Sequence, residues 1–133
     1  MENLYKKISD LSLNEYPDIV EDSQTHSTPS GAPAKLRIHI VDGSYLDVWL
    51  SGSGKYSYHW ECRHVTGQIH RHDNAPHPRW SHLKTFPKHY HAGSDEQVRE
   101  SLLPDDPMQA ARALLSFIRK TLGTSRGNPI QSR

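Results

Sequence analysis

The sequence predicts an α+β domain: a single antiparallel meander of five or six strands with helices packed on one face. Three observations carry this expectation. Residues 35–62 alternate apolar and polar side chains across two glycine-containing turns. Residues 106–122 place apolar side chains at helical spacing. The hydrophobic share is only 34%, against ~45–50% for an ordinary globular chain. So thin a core suits one sheet covered on one side better than a sandwich.

A chain of 133 residues is the size of one domain. Within it, residues 1–17 read as an N-terminal helix and connection, 18–92 as the sheet core, 94–122 as C-terminal helices and 123–133 as a tail. Leu4, Ile8 and Leu11 share a helical face over residues 1–13. Residues 18–20 turn β-like, and the Ser-, Thr-, Pro- and Gly-rich stretch 23–33 reads as an exposed loop. Leu36, Ile38 and Ile40 then alternate with Arg37, His39 and Val41. Asp42-Gly43 supplies a hairpin turn. Leu46, Val48 and Leu50 form the next apolar face, and Ser51–Gly54 the next turn.

A third strand sets Tyr56, Tyr58, Trp60 and Cys62 on one face. Those rings read as sheet packing rather than as a platform for bases. The fourth strand, 67–73, sets Ile69, Arg71 and Asp73 opposite His70 and His72. Residues 74–83 are a proline-broken loop, and loops of this length in small domains are commonly functional. Residues 85–91 predict an edge strand, because Pro87 lacks an amide donor. Ser94 with Gln97 fits a capping box that opens a short helix ending at Pro104. Asp106 then caps a second helix with Pro107 in its first turn. Its stripe is Met108, Ala111, Leu114, Leu115, Ile118 and Leu122, and Gly123 is the expected stop.

The charge balance excludes several function classes. The net charge of +1 rules out a histone-like polycation. No apolar run approaches the ~18 residues that cross a bilayer, so no membrane partner is expected. The single cysteine, Cys62, excludes a disulfide framework and a cysteine-based zinc site. A reducing cytoplasm is the expected compartment. Charge is nonetheless uneven. Residues 55–93 hold Lys55, Arg63, Arg71, Arg79, Lys84 and Lys88 against Glu61 and Asp73, a balance of +4, while residues 1–34 stand at −4.

Histidine is the outlier. Eight of the ten lie between His59 and His91. Imidazole exchanges protons near neutral pH and is also the commonest metal ligand. His70 and His72 share a strand face, as do His89 and His91, and the two pairs are expected to converge with His77 from the loop.

Three readings compete. The first is acid/base cleavage of RNA. A base takes the 2′-hydroxyl proton, an acid protonates the leaving oxygen, and a cation stabilises the phosphorane. His70, His72, His77, His89 and His91 are the candidate acids and bases, with Asp73 orienting one of them. Arg63, Arg71, Arg79, Trp80, Lys84, Lys88 and Tyr90 are the candidate RNA contacts, basic residues interleaved with stacking rings. The second reading is a metal site on the His-x-His pairs beside Asp73, although the spacing matches no zinc signature. The third makes the histidines plain surface positions, and His26, His39, His64 and His82 are read that way. Gly52-Ser53-Gly54-Lys55 is only a fragment of a phosphate loop and is better explained as a hairpin turn.

Four motifs in order, DGSYLDV at 42–48, KYSYHWE at 55–61, HDNAPHP at 72–78 and TFPKHYH at 85–91, carry a resemblance. Over roughly residues 35–92 the chain resembles the TumE-like toxins of prokaryotic type II toxin–antitoxin pairs. The resemblance implies a cognate protein antitoxin, often one with a helix-turn-helix domain, and a ribonuclease of the kind that halts translation. It carries no residue assignments, so the candidate site rests on chemistry alone.

The expectation is therefore a metal-independent endoribonuclease toxin with no cofactor and no resident metal. Its partners are an antitoxin, RNA and, as a further candidate, a second copy of the chain. The alternatives are a non-catalytic module that binds nucleic acid or a partner, and a histidine-rich metal-binding protein.

Overall fold

The computed structural model describes residues 1–126. Seven strands form one antiparallel sheet in the order β1-β2-β3-β4-β5-β6-β7, a pure meander. The α+β class and the single sheet hold, and the strand count is seven rather than five or six.

The first compact unit is Met1–Leu102. It opens with α1 (Glu2–Glu15), followed by β1 (Val20–Ser27), β2 (Pro33–Ile40), β3 (Tyr45–Leu50) and β4 (Tyr56–Cys62). A four-residue helix α2 (Arg63–Thr66) leads to β5 (Gln68–Asp73), then β6 (His89–Gly93) and β7 (Val98–Glu100). Helix α1 lies against β1 and β2. Its Tyr5, Ile8 and Leu11 are buried, as are Leu36, Ile38, Ile40, Leu46 and Val48 on the sheet. The Tyr5 hydroxyl ties helix to sheet, accepting the Leu50 N–H at 3.0 Å.

Four local expectations change. The stretch 23–33 is not all loop: β1 runs to Ser27 and pairs with β2. Only Val20 of β1 is buried, so this edge strand is held by backbone pairing and carries no apolar alternation. The Thr28–Ala32 turn, with Gly31 at φ 91°, is where the Gly- and Pro-rich composition acts.

Residues 85–91 do not form an edge strand. Strand β6 begins at His89 and lies inside the sheet between β5 and β7. Pro87 precedes it, so its missing amide costs no ladder bond. The Phe86–Pro87 peptide is cis.

Ser94 and Gln97 do not open a helix. Gln97 N–H bonds to the Ser94 carbonyl at 3.3 Å in a hairpin turn, and β7 follows.

The second unit begins at Leu103 and contains α3 (Pro107–Arg126). The Asp106 side chain caps it, accepting the Gln109 N–H at 3.0 Å. Ala110, Ala111, Leu114, Leu115, Ile118 and Leu122 are buried. The helix continues through Gly123 to Arg126 instead of stopping. Of the expected tail 123–133, residues 123–126 belong to α3 and 127–133 lie outside the described residues.

Candidate functional site

Strand pairing decides which histidines meet. In an antiparallel pair, directly opposed residues share a face. Asp73 opposes His89, and Arg71 opposes His91. On the other side Arg71 opposes His59 of β4. These five residues therefore share the sheet's polar face. His70 and His72 oppose Trp60 and Tyr58, both buried, and so lie on the other face.

The loop after β5 roofs one end of the polar face. Asp73 Oδ1 accepts the Ala75 N–H at 3.0 Å and starts the turn. Pro78–Trp80 form a single 3-10 turn capped by His77, whose Nδ1 accepts the Arg79 N–H at 3.2 Å. The Trp80 ring lies 5.8 Å from the His89 ring and 6.0 Å from the His91 ring, edge-on to the latter. The Arg79 guanidinium sits over Trp80 at 4.8 Å. Beneath is an open hollow of about 390 Å³ bounded by Arg71, Asp73, His77, Arg79, Trp80, His89, His91 and Asp95.

Inside it the two buried imidazoles are fixed differently. His91 donates from Nδ1 to the Asp95 carbonyl at 3.0 Å. Its Nε2 lone pair accepts from Arg71 Nη2 at 3.1 Å. Burial pushes its proton affinity down, in keeping with a neutral ring. His89 donates from Nδ1 to the Pro87 carbonyl at 3.0 Å. Its Nε2 lies 3.1 Å from Asp73 Oδ1. Both ring nitrogens therefore lie beside an oxygen, which fixes the orientation of the ring. Arg71 also reaches Asp73 Oδ2 at 3.3 Å and lies 3.6 Å from Asp95 Oδ1. The donor atoms of Asp73, His89 and His91 lie within 4.8 Å of one another, close enough to hold a metal ion.

The family model described as Toxin TumE matches residues 9–122. The chain belongs to the TumE toxin family. It is thus the toxin component of a toxin–antitoxin pair, with a cognate antitoxin as partner. No curated protein and no solved structure matches it. No described helix of this TumE-family chain is long and apolar enough to cross a membrane.

Of the residues expected to gather, the hollow brings together Arg71, Asp73, His77, Arg79, Trp80, His89 and His91. The expected convergence of both His-x-His pairs does not occur. His70 bonds the Tyr90 hydroxyl at 2.7 Å, and His72 bonds Ser101 Oγ at 2.8 Å. Tyr90 stacks on His72 with centroids 4.2 Å apart. Burial lowers the proton affinity of His70, and lowers that of His72 to a pKa of about 4. At neutral pH the His72 ring has no proton to give.

Arg63 is committed elsewhere, to Glu61 at 2.7 Å, and chiefly through that bond holds the carboxyl at a pKa of about 2. Lys84 and Lys88 lie on the segment leading into β6 and do not border the hollow. Its fixed charges, Arg71 and Arg79 against Asp73 and Asp95, balance; Lys55, Arg63, Lys84 and Lys88, which make up the rest of the basic middle segment, lie outside the strands. Asp95 is the residue that sequence reasoning missed. It holds His91 through a backbone carbonyl, which leaves no trace in residue type.

Proposed function

We propose that this toxin cleaves single-stranded RNA by metal-independent acid/base chemistry in the hollow between β5, β6 and the 74–88 loop. The observation that carries the reading is the His91 Nε2 lone pair lying 3.1 Å from the Arg71 guanidinium at an open site. A base and a phosphate-binding cation are adjacent there, as attack by a 2′-hydroxyl requires.

His91 takes the 2′-hydroxyl proton. Arg71 turns from His91 to the phosphorane oxygens. The acid is His77 at the exposed rim rather than His89. Base and acid must flank phosphorus from opposite sides, each a hydrogen bond of ~2.7–3.0 Å from its oxygen. A ring nitrogen of His89 and one of His91 lie within 4.8 Å of each other, too close for that. His89, with Nε2 3.1 Å from Asp73 Oδ1, holds the carboxylate in place. Trp80 and Arg79 form a surface on which an unpaired base stacks.

The test is incubation of the purified chain with single-stranded RNA in EDTA. The expected result is cleavage leaving 2′,3′-cyclic phosphate ends, lost in His91→Ala and His77→Ala. Binding without cleavage overturns the enzyme in favour of a non-catalytic RNA-binding module. Cleavage that chelation abolishes overturns the metal-independent route.

A further inference from the structure

We propose that Asp73, His89 and His91 form a zinc-binding site, and that zinc bound there switches the ribonuclease off. The inhibitory half rests on the function proposed above; the binding half does not.

The donor atoms are two imidazole nitrogens and one carboxylate oxygen, all within 4.8 Å of one another. Three protein ligands of this kind with a fourth position left to solvent suit zinc. Proximity is the weaker part of the case. The stronger part is that each ligand is already anchored through another bond. His89 Nδ1 is tied to the Pro87 carbonyl at 3.0 Å, and His91 Nδ1 to the Asp95 carbonyl at 3.0 Å. Metal-bound histidines have this second bond almost always, because it fixes the tautomer and turns the Nε2 lone pair toward the ion. The Asp73 carboxylate is fixed by the Ala75 N–H at 3.0 Å. His89 and His91 are 3% and 4% exposed, so little ordering remains to be done when the ion arrives.

Arg71 now occupies the place beside His91 that a cation would take. It has somewhere to go: Asp95 Oδ1 is already 3.6 Å from its Nη1, and that carboxylate is 55% exposed. Zinc at the triad would occupy the His91 lone pair and move the guanidinium off the base. Both groups required for attack would be removed from it by one ion. Two imidazoles and one carboxylate favour zinc over magnesium, which prefers oxygen ligands and retains its water.

The experiment titrates zinc into the full chain against a chromogenic chelator at about neutral pH, and follows RNA cleavage in parallel. Cobalt absorption reports the geometry of the bound ion. The expected result is one tightly bound zinc per chain, weakened at least ~10-fold in His91→Ala and in the near-isosteric Asp73→Asn, but unchanged in His82→Ala. Magnesium should not compete. Cleavage in EDTA should stop on adding one equivalent of zinc and return with excess chelator.

No binding, or binding equal in wild type and Asp73→Asn, overturns the site and leaves only adventitious capture by surface histidines. Zinc that binds the triad and increases cleavage overturns the switch. Triad-dependent binding in a chain that never cleaves RNA sustains the metal site while refuting the ribonuclease.

Discussion

Acid should unfold this toxin through His72, and the magnitude can be worked from its surroundings. Burial between Tyr90 and Ser101 lowers its pKa from 6.5 to about 4. The unfolded chain therefore binds this proton before the folded one does. The neutral ring's contribution to stability is complete above about pH 6.5 and is lost as pH falls toward 4. At ~1.4 kcal/mol per tenfold change in proton affinity, the ceiling is roughly 3 kcal/mol, of which roughly 2–2.5 is lost by about pH 4.5. The comparison variant is His72→Phe with Ser101→Ala, which removes the titrating ring without stranding the buried hydroxyl. Urea unfolding at about pH 7.5 and 4.5 gives both stabilities. The double variant should lose roughly 2 kcal/mol less than wild type between them. Equal losses in the two proteins would refute the assignment of His72 as a buried neutral group.

The remaining predictions concern the hollow and the helix–sheet contact. Arg71→Gln should lower kcat for RNA cleavage by roughly 10²–10³-fold; an unchanged kcat would remove Arg71 from the transition state. Trp80→Ala should weaken RNA binding by about 1–3 kcal/mol per stacked base, read as a raised KM with kcat retained. A fall in kcat alone would contradict a stacking role. Tyr5→Phe leaves the Leu50 N–H without its 3.0 Å acceptor and should cost about 1–3 kcal/mol in urea unfolding. Leu36→Ala, at a fully buried position, should cost about 2–5 kcal/mol by the same measurement, and a cost below that range would mean the site collapses around the cavity.

Alternation along 36–62 and the Asp106-Pro107 start of α3 were legible in the sequence, because each depends on neighbours within a few residues of chain. Strand β1 was not, since an edge strand held by backbone pairing needs no apolar side chains. The Ser94–Gln97 pattern satisfies a helix cap and a hairpin turn equally well. Only the rest of the sheet, offering β6 a partner in β7, selects the turn.

The same division runs through the site. Residue order alone paired His70 with His72 and His89 with His91, because side chains two apart on a strand point the same way. Whether His89 and His91 join Arg71 and Asp73 or the opposite face with His70 and His72 depended on the register of β5 against β6. That register sets His72 against Tyr90 and Asp73 against His89. A slip of one residue would have exchanged the faces. Strand pairing fixes that choice through contacts across ~20 residues of intervening chain, which local sequence does not encode.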